Sequence, residues 1–294
     1  MSFFITGSSG FVGSSFLNHF KNEVTYVSSR GKESYIDGTE VVIHLAGKAH
    51  DLKNTSSAQE YYEVNTELAK IVYDAFLASE AKVFITLSSV KAVADDMEGI
   101  LTEDHGPNPI THYGKSKLLA EQFIFSKVIP EGKRVYVLRP CMIHGPGNKG
   151  NLNLLYKLVS KNIPWPFGAF ENKRSFCSID NLMFIIKELI EREEIPSGIY
   201  NVADDEPLST NELIGLIAQS QNRTPEIWNI SRKFIEVIAS IGDKLHLPLD
   251  TERLQKLTSS YVVSNAKIKA AIGKPLPVSS REGLLKTFQS FNSK

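Results

Sequence analysis

Phe3-Phe4-Ile5-Thr6-Gly7-Ser8-Ser9-Gly10-Phe11-Val12-Gly13 decides how the rest of the chain is read. A short apolar run breaks into glycines spaced three apart and then continues into an apolar-periodic segment. This is the pattern of a strand, a glycine turn and a helix over about Val12 to Phe20. Glycine here lets the backbone turn tightly, approach a ligand closely, and bring the helix against the strand. The helix N-terminus then offers unpaired N–H groups to a pyrophosphate. Gly-rich turns of this kind also occur where no nucleotide binds. The motif gains weight by following a β-like run at the start of the chain, where a mononucleotide-binding half is expected to begin.

Outward from that turn, Val24-Thr25-Tyr26-Val27 reads as a second strand ending in Ser28-Ser29-Arg30. At this point of a Rossmann unit an acidic residue would take the ribose 2′-hydroxyl of NAD, whereas an arginine accommodates the 2′-phosphate of NADP. No acid is present and Arg30 is available, which favours NADP(H) and leaves NAD(H) as the alternative; a lone arginine also reads as a solvated loop cation. Glu40-Val41-Val42-Ile43-His44-Leu45-Ala46-Gly47 is a continuous apolar run closed by small residues, as in a strand buried on both faces. Its end, Leu45, Ala46 and Gly47, falls at the cofactor edge. A helix over about Ala58 to Ser79 and the strand Val83 to Leu87 continue a βαβ alternation, hence a parallel sheet.

The class is therefore α/β: a Rossmann-type doubly wound parallel sheet with a smaller, mainly helical C-terminal substrate domain. The expected boundaries are residues 1–150, with 176–203 returning, for the dinucleotide-binding domain, and 151–175 with 204–294 for the second. The stripe Phe234, Val237, Ile238, Ile241 and Leu245 is expected to be that second domain's own core. Asp95 to Pro109 reads as an acidic surface loop.

Composition narrows the partners. The chain has 294 residues with 33 basic and 33 acidic side chains, so its zero net charge gives no reason to expect nucleic acid or an anionic membrane as partner. No apolar run reaches the roughly 18 residues of a membrane span, and no leader pattern precedes Phe3, which makes the cytoplasm the default location. Cys141 and Cys177 have no metal-ligand or disulfide-framework spacing, and the histidines have none either, so no metal is expected. His44 reads as a satisfied core histidine, and Asp180, Asp204 and Asp205 as capping groups.

Chemistry enters at the carboxyl ends of the strands, where open α/β sheets hold their ligands. Val83 to Leu87 ends in Ser88-Ser89, and hydroxyls there are candidates for chemistry, although serine also caps strand ends. Tyr113-Gly114-Lys115-Ser116-Lys117 opens a helix and sets a phenol and an ammonium four apart on one face. Such an ammonium favours the phenolate, each pKa unit being worth about 1.4 kcal/mol, and suits a phenol that shuttles a proton near neutral pH. Alone, a Tyr and Lys four apart is commonly a surface coincidence.

Taken together, Gly7-x-x-Gly10-x-x-Gly13, Ser88-Ser89, Tyr113-x-x-x-Lys117 and Arg139-Pro140 with Gly145-Pro146-Gly147 resemble the extended short-chain dehydrogenase/reductases that act on nucleotide sugars. Val41 to His50 and Leu87-Ser88-Ser89-Val90-Lys91 resemble the bacterial polysaccharide-pathway members, the UDP-hexose 4-epimerases and the UDP-4-keto-6-deoxy-N-acetylhexosamine 4-reductases. The resemblance implies Tyr113 as general acid/base, Lys117 as the residue that binds the nicotinamide ribose and lowers the phenol's pKa, and Ser89 as hydrogen-bond partner of the reacting oxygen, with Ser88 its nearest rival. It implies a dinucleotide held at Gly7, Ser9, Gly10, Phe11, Val12 and Gly13, beside Arg30, Leu45, Ala46, Gly47, Asn65, Ser88, Lys117 and Pro140. A UDP-sugar would meet Ser89 and Tyr113, with Arg174 clamping its diphosphate and Asn151 a further contact.

Two departures accompany it. Between Arg30 and Glu40 the chain is too short for a further helix, strand and adenine-contacting aspartate, and around Ala92-Val93-Ala94 a tyrosine frequent in the family is replaced. The expected activity is NADPH-dependent reduction of a UDP-4-keto sugar, with 4-epimerisation using tightly bound NAD as the alternative and a non-catalytic NADP-binding sensor as a third reading. The helices near Ala58–Ser79 and Tyr113–Lys127 resemble those that pair in the family's homodimer.

Overall fold

The computed structural model describes residues 1–21, 26–27, 36, 38–48, 57–148, 150–245, 247 and 249–291. In chain order, β1 (Phe3–Thr6), α1 (Phe11–His19), β2 (Tyr26–Val27) and β3 (Val41–His44) are followed by α2 (Ala58–Tyr62). A π-helical turn over Glu63–Glu67 joins α2 to α3 (Leu68–Ala78), and β4 (Val83–Leu87), a 3-10 turn (Val90–Ala92) and β5 (Ile100–Leu101) come next. Then follow α4 (His112–Ser126), β6 (Arg134–Pro140), β7 (Met142–His144), α5 (Asn151–Ser160), β8 (Phe176–Ser178), α6 (Ile179–Glu191) and β9 (Gly198–Val202). The C-terminal part holds α7 (Thr210–Ser220), α8 (Arg232–Leu245), α9 (Thr251–Thr258), β10 (Val262–Val263), α10 (Ala266–Ile272) and α11 (Ser280–Gln289).

Six parallel strands form one sheet in the order β2-β1-β3-β4-β6-β9. Its apolar strands are continuous because both faces are covered: successive residues point to opposite sides. Phe3, Ile5, Ile43, Ile85 and Leu138 pack with Phe16 of α1 and with Leu182 and Ile186 of α6. Phe4, Val42, Phe84 and Val137 pack on the other side with Val72 and Phe76 of α3 and Ile124 of α4. The chain leaves β1 toward β2 and returns on the opposite side at β3, so the crevice expected at a switch in strand order lies at the carboxyl ends of β1 and β3. Among the described residues the sheet ends at β2, in keeping with the short stretch after it, while Arg30 lies outside the described residues.

The helices beyond β7 build two further clusters. Leu152, Leu213, Ile217, Leu284 and Phe288 join α5, α7 and α11; Trp165, Phe167, Ile214, Ile235 and Leu254 join α7, α8 and α9. Here two expectations are corrected. In α8 it is Ile235, Ala239 and Gly242 that are buried, while Phe234, Val237, Ile241 and Leu245 are exposed. The helix is apolar on two sides, and periodicity alone does not say which side meets the core. The acidic stretch from Asp95 also holds more than surface loop, since β5 pairs with β10 and buries Leu101 completely.

Candidate active site

The glycine turn is shaped by contacts that a side chain would destroy. Gly7 has φ 71°, and a Cβ on it would lie 2.4 Å from the Ala46 nitrogen; a Cβ on Gly13 would lie 2.1 Å from the Gly7 oxygen. The turn thus presses against the end of β3, and α1 starts at Gly10 with no side-chain cap on its first N–H groups. Ser9 and Gly10 are exposed and Phe11 and Val12 half-buried at that helix start. This is a cradle that fits a pyrophosphate. Behind it, Thr6 Oγ1 accepts a hydrogen bond from the Ala46 N–H at 3.2 Å and lies 2.8 Å from His44 Nδ1. Burial, then the nearby Lys117 charge, lowers the His44 pKa to about 3, so this histidine stays neutral at ordinary pH and fills the core role read for it.

Two cavities adjoin at the carboxyl edge of the sheet. The smaller, about 260 Å³, is lined by Leu45, Gly47, Leu87, Ser88, Lys117 and Pro140 among others. The larger, about 510 Å³, runs toward the C-terminal helices and is lined by Asn151, Arg174, Glu252, Gln255, Lys256 and Tyr261 among others. Ser89, Tyr113 and Cys141 line both.

Tyr113 reaches that shared wall because α4 starts against the turn after β4. A Cβ on Gly114 would lie 2.3 Å from the Lys91 oxygen, so only glycine permits this approach. The helix start is fixed by Asp95, which accepts hydrogen bonds from Ile110 N at 2.7 Å, Thr111 N at 2.9 Å and Thr111 Oγ1 at 2.9 Å. Thr111 in turn caps α4 by accepting from Gly114 N. The Tyr113 hydroxyl is hydrogen-bonded to the Ser89 side chain, and its ring packs edge-on against Tyr61 at 6.2 Å.

The electrostatics of this phenol differ from the expectation. Burial raises the Tyr113 pKa, the Ser89 hydrogen bond lowers it and Tyr61 raises it, with a net rise; Lys117 is not among the causes. The lysine is turned to the backbone, donating to Leu87 O at 2.9 Å, with Nζ 3.0 Å from where a Cβ on Gly47 would stand. Burial lowers its own pKa to about 8, opposed by Glu121. Lys117 therefore holds the rim of the smaller cavity and tunes Tyr113 only if a ligand brings them together.

Two further cofactor expectations are refined. Asn65, 1% exposed, spends its amide on Lys48 N (2.8 Å), Lys48 O (3.1 Å) and Ser116 Oγ (3.0 Å). It fixes the Gly47–Lys48 turn, and it stands in the π-helical turn, a distortion common at functional sites. The Ser88 hydroxyl is donated to Glu121, which is also gripped by Arg139 through Nη2 at 2.5 Å and Nε at 3.0 Å. Ser88 thus lines the cavity while its hydroxyl is engaged behind it, which leaves Ser89 as the serine beside the phenol.

Arg174 lines the larger cavity and donates from Nη1 to Lys256 O at 2.7 Å; Asn151, first residue of α5, lines it too. Sequence reasoning missed Glu121, Asp95 and Tyr261. Glu121 stands four residues after Lys117, a signal that was present. Tyr261 gave none: it arrives from the far end of the chain, donates to Ala94 O at 2.7 Å, and carries Lys91 Nζ over its ring at 4.4 Å. Among the described residues no group of His, Cys, Asp and Glu could hold a metal ion.

A model of the NAD dependent epimerase/dehydratase family matches residues 3–203. The chain is 29% identical to a UDP-glucose 4-epimerase of Vibrio cholerae, over 99% of its own length and 95% of the relative's. It is 25% identical to an N-acetyl-α-D-glucosaminyl-diphospho-ditrans,octacis-undecaprenol 4-epimerase of Escherichia coli O157:H7, over 97% and 93%. A UDP-N-acetylglucosamine 4-epimerase structure from Bacillus cereus shares the fold with a TM-score of 0.78 at 17% identity, covering 100% of both chains.

Proposed function

The chain belongs to the NAD dependent epimerase/dehydratase family, and from that premise we propose that it performs redox chemistry at C4 of a sugar carried on a diphosphate, most directly the NADPH-dependent reduction of a UDP-4-keto sugar. The observation that carries the reading is the hydrogen-bonded Ser89–Tyr113 pair on the wall common to two adjoining cavities, one suited to a nicotinamide ring and one to a sugar diphosphate. Gly7, Gly10, Gly13 and the uncapped start of α1 would hold the pyrophosphate of a dinucleotide, and Gly47, Lys117 and Pro140 would line its nicotinamide end. Bound there, that cofactor supplies the hydride donor or acceptor.

The chain's own residues do the rest. Tyr113 gives a proton to the oxygen that forms at C4 in the reductive direction, and takes one in the oxidative direction. Its raised pKa keeps the proton in place at neutral pH, ready to be given. Ser89 hydrogen-bonds the same oxygen and holds the phenol in line. Lys117 carries its positive charge below about pH 8 and stabilises negative charge at the rim. Arg174 and Asn151 orient the diphosphate in the larger cavity, the guanidinium by paired hydrogen bonds to phosphate oxygens.

Arg30, where an NAD enzyme would carry an acid, supports NADPH and hence net reduction. A second reading, 4-epimerisation on retained NAD with the same residues, is favoured by the two near-full-length relatives, both 4-epimerases by name. The second of these names a lipid in place of the nucleotide, so the group beyond the diphosphate is a variable to be assayed. The test is to purify the protein, identify any dinucleotide it retains, and incubate it with UDP-4-keto sugars plus NADPH and with UDP-glucose or UDP-N-acetylglucosamine without added cofactor. Consumption of NADPH with loss of the ketone supports reduction; formation of a C4 epimer without cofactor supplants it. Inertness toward all of these substrates would reject both.

A further inference from the structure

Helix α8 carries a row of apolar side chains that nothing among the described residues covers. Phe234, Val237, Ile241 and Leu245 are 58%, 57%, 47% and 65% exposed, and Trp228 and Leu247, just beyond the two ends, are 53% and 42% exposed. Singly exposed apolar residues are ordinary, but these recur three, seven and eleven residues after Phe234 and so form one contiguous stripe. Another side of the same helix, Ile235, Ala239 and Gly242, already packs against the body of the protein. Charge is segregated around the outer stripe. Lys233 and Lys244 are exposed and border one edge of the stripe, one turn from Val237 and Ile241, whereas Glu236 and Asp243 lie behind them on the same flank, farther from the stripe, with Asp243 accepting from Thr251 N at 2.9 Å.

We propose that α8 docks the protein on an anionic membrane surface, lying in the headgroup plane with this stripe inserted and the two lysines against lipid phosphates. An apolar face bordered by lysines is the arrangement that such an interface selects. Among the described residues no helix is long and apolar enough to cross a membrane, so the contact is with the surface. Pairing with a second copy fits less well, because an antiparallel two-fold contact through this stripe sets Lys233 beside the other copy's Lys244. The stripe is also close to the candidate site. Helix α8 packs on α9, whose Glu252, Gln255 and Lys256 line the larger cavity. A surface-bound protein would hold that cavity about one helix spacing, ~10 Å, from the headgroups. The inference is independent of the proposed reaction, since docking is read without substrate.

The full chain is to be sedimented with vesicles of phosphatidylglycerol and phosphatidylcholine, and with vesicles of phosphatidylcholine alone. Trp228 reports insertion, because the other tryptophan, Trp165, is only 3% exposed. We expect co-sedimentation with the anionic vesicles and a blue shift of Trp228 emission. The pair Val237→Ser with Ile241→Ser, both at exposed positions, should weaken partition by about tenfold or more without altering thermal unfolding. Lys233→Gln with Lys244→Gln should remove the preference for the anionic vesicles. The proposal is overturned if the wild type stays in the supernatant, if it binds both vesicle types equally, or if the serine pair binds as well as the wild type. It is equally overturned if the serine pair instead dissociates an oligomer in sedimentation equilibrium, which would assign the stripe to a second copy.

Discussion

Replacing Lys117 by methionine should change stability in a way that depends on pH with a definite sign. Burial lowers the Lys117 pKa from 10.5 to about 8, and the side chain is 8% exposed overall. Below pH 8 the folded protein carries the proton at a cost that the unfolded chain does not bear. The shift corresponds to about 3 kcal/mol of destabilisation, fully present below pH 8 and gone above about pH 10.5. Methionine removes that cost, but it also strands the Leu87 carbonyl now bonded at 2.9 Å, a pH-independent loss of about 1–3 kcal/mol. At pH 7 the variant should therefore be as stable as the wild type or slightly more so. On going to pH 9.5, the wild type should gain about 2 kcal/mol relative to the variant, because by then its lysine is largely neutral when folded and still charged when unfolded. Urea unfolding of both proteins without dinucleotide, at pH 7, 8 and 9.5, reads this as a difference of differences in which other titrating groups cancel. A gap that does not move with pH, or that moves in favour of methionine, would show that Lys117 is not a buried ammonium held at a cost, and the electrostatic account of the cavity rim would fail with it.

Tyr113→Phe should leave dinucleotide binding nearly intact and cut turnover by about a hundredfold or more, measured in whichever direction the protein proves active. Gly114→Ala, whose new Cβ would meet the Lys91 oxygen at 2.3 Å, should push α4 off the Ser89 turn and lower turnover by about a hundredfold while dinucleotide affinity, followed by titration calorimetry, is retained. Glu121→Gln leaves the Arg139 charge buried and unpaired and should cost about 3–5 kcal/mol in urea unfolding, most of it recovered by combining Glu121→Leu with Arg139→Met. Ile71 and Leu119, 48% and 43% exposed on α3 and α4, should pair two copies, so that Ile71→Asp with Leu119→Asp yields monomers by light scattering.

The sheet was readable in the sequence because its physics is local. A parallel strand buried on both faces is a near-continuous apolar run, so Phe3–Thr6, Val41–His44 and Val83–Leu87 declare themselves without reference to the rest of the chain. The glycine turn is similarly explicit, since the close approaches at Gly7 and Gly13 exclude every other residue. Helix α8 was misread for the complementary reason. Its apolar residues lie on two sides, and which side is covered depends on α9 and on the segment around Trp165 and Phe167, which no local pattern specifies.

At the candidate site the residue types were legible and their electrostatic relations were not. Spacing puts Tyr113 and Lys117 on one face of α4, but it does not say which partner the ammonium takes. The structure turns the ammonium to the Leu87 carbonyl and leaves burial in control of Tyr113. What decides that outcome is long-range: Asp95 anchoring the start of α4, Asn65 holding the Gly47–Lys48 turn, and the buried Glu121–Arg139 pair under Ser88. Asn65, Glu121 and Arg139 are polar and buried and Asp95 is half-buried, so each is costly unless paired, and the hydrogen bonds above supply the pairing. The features that ordinary folding rules would discourage, a lysine held at a cost, a buried ion pair and a π-helical turn, thus gather around one cavity wall. Departures of that kind are expected where structure is constrained by chemistry as well as by stability. That concentration, more than any single motif, is why Ser89 and Tyr113 are the pair on which the functional reading rests.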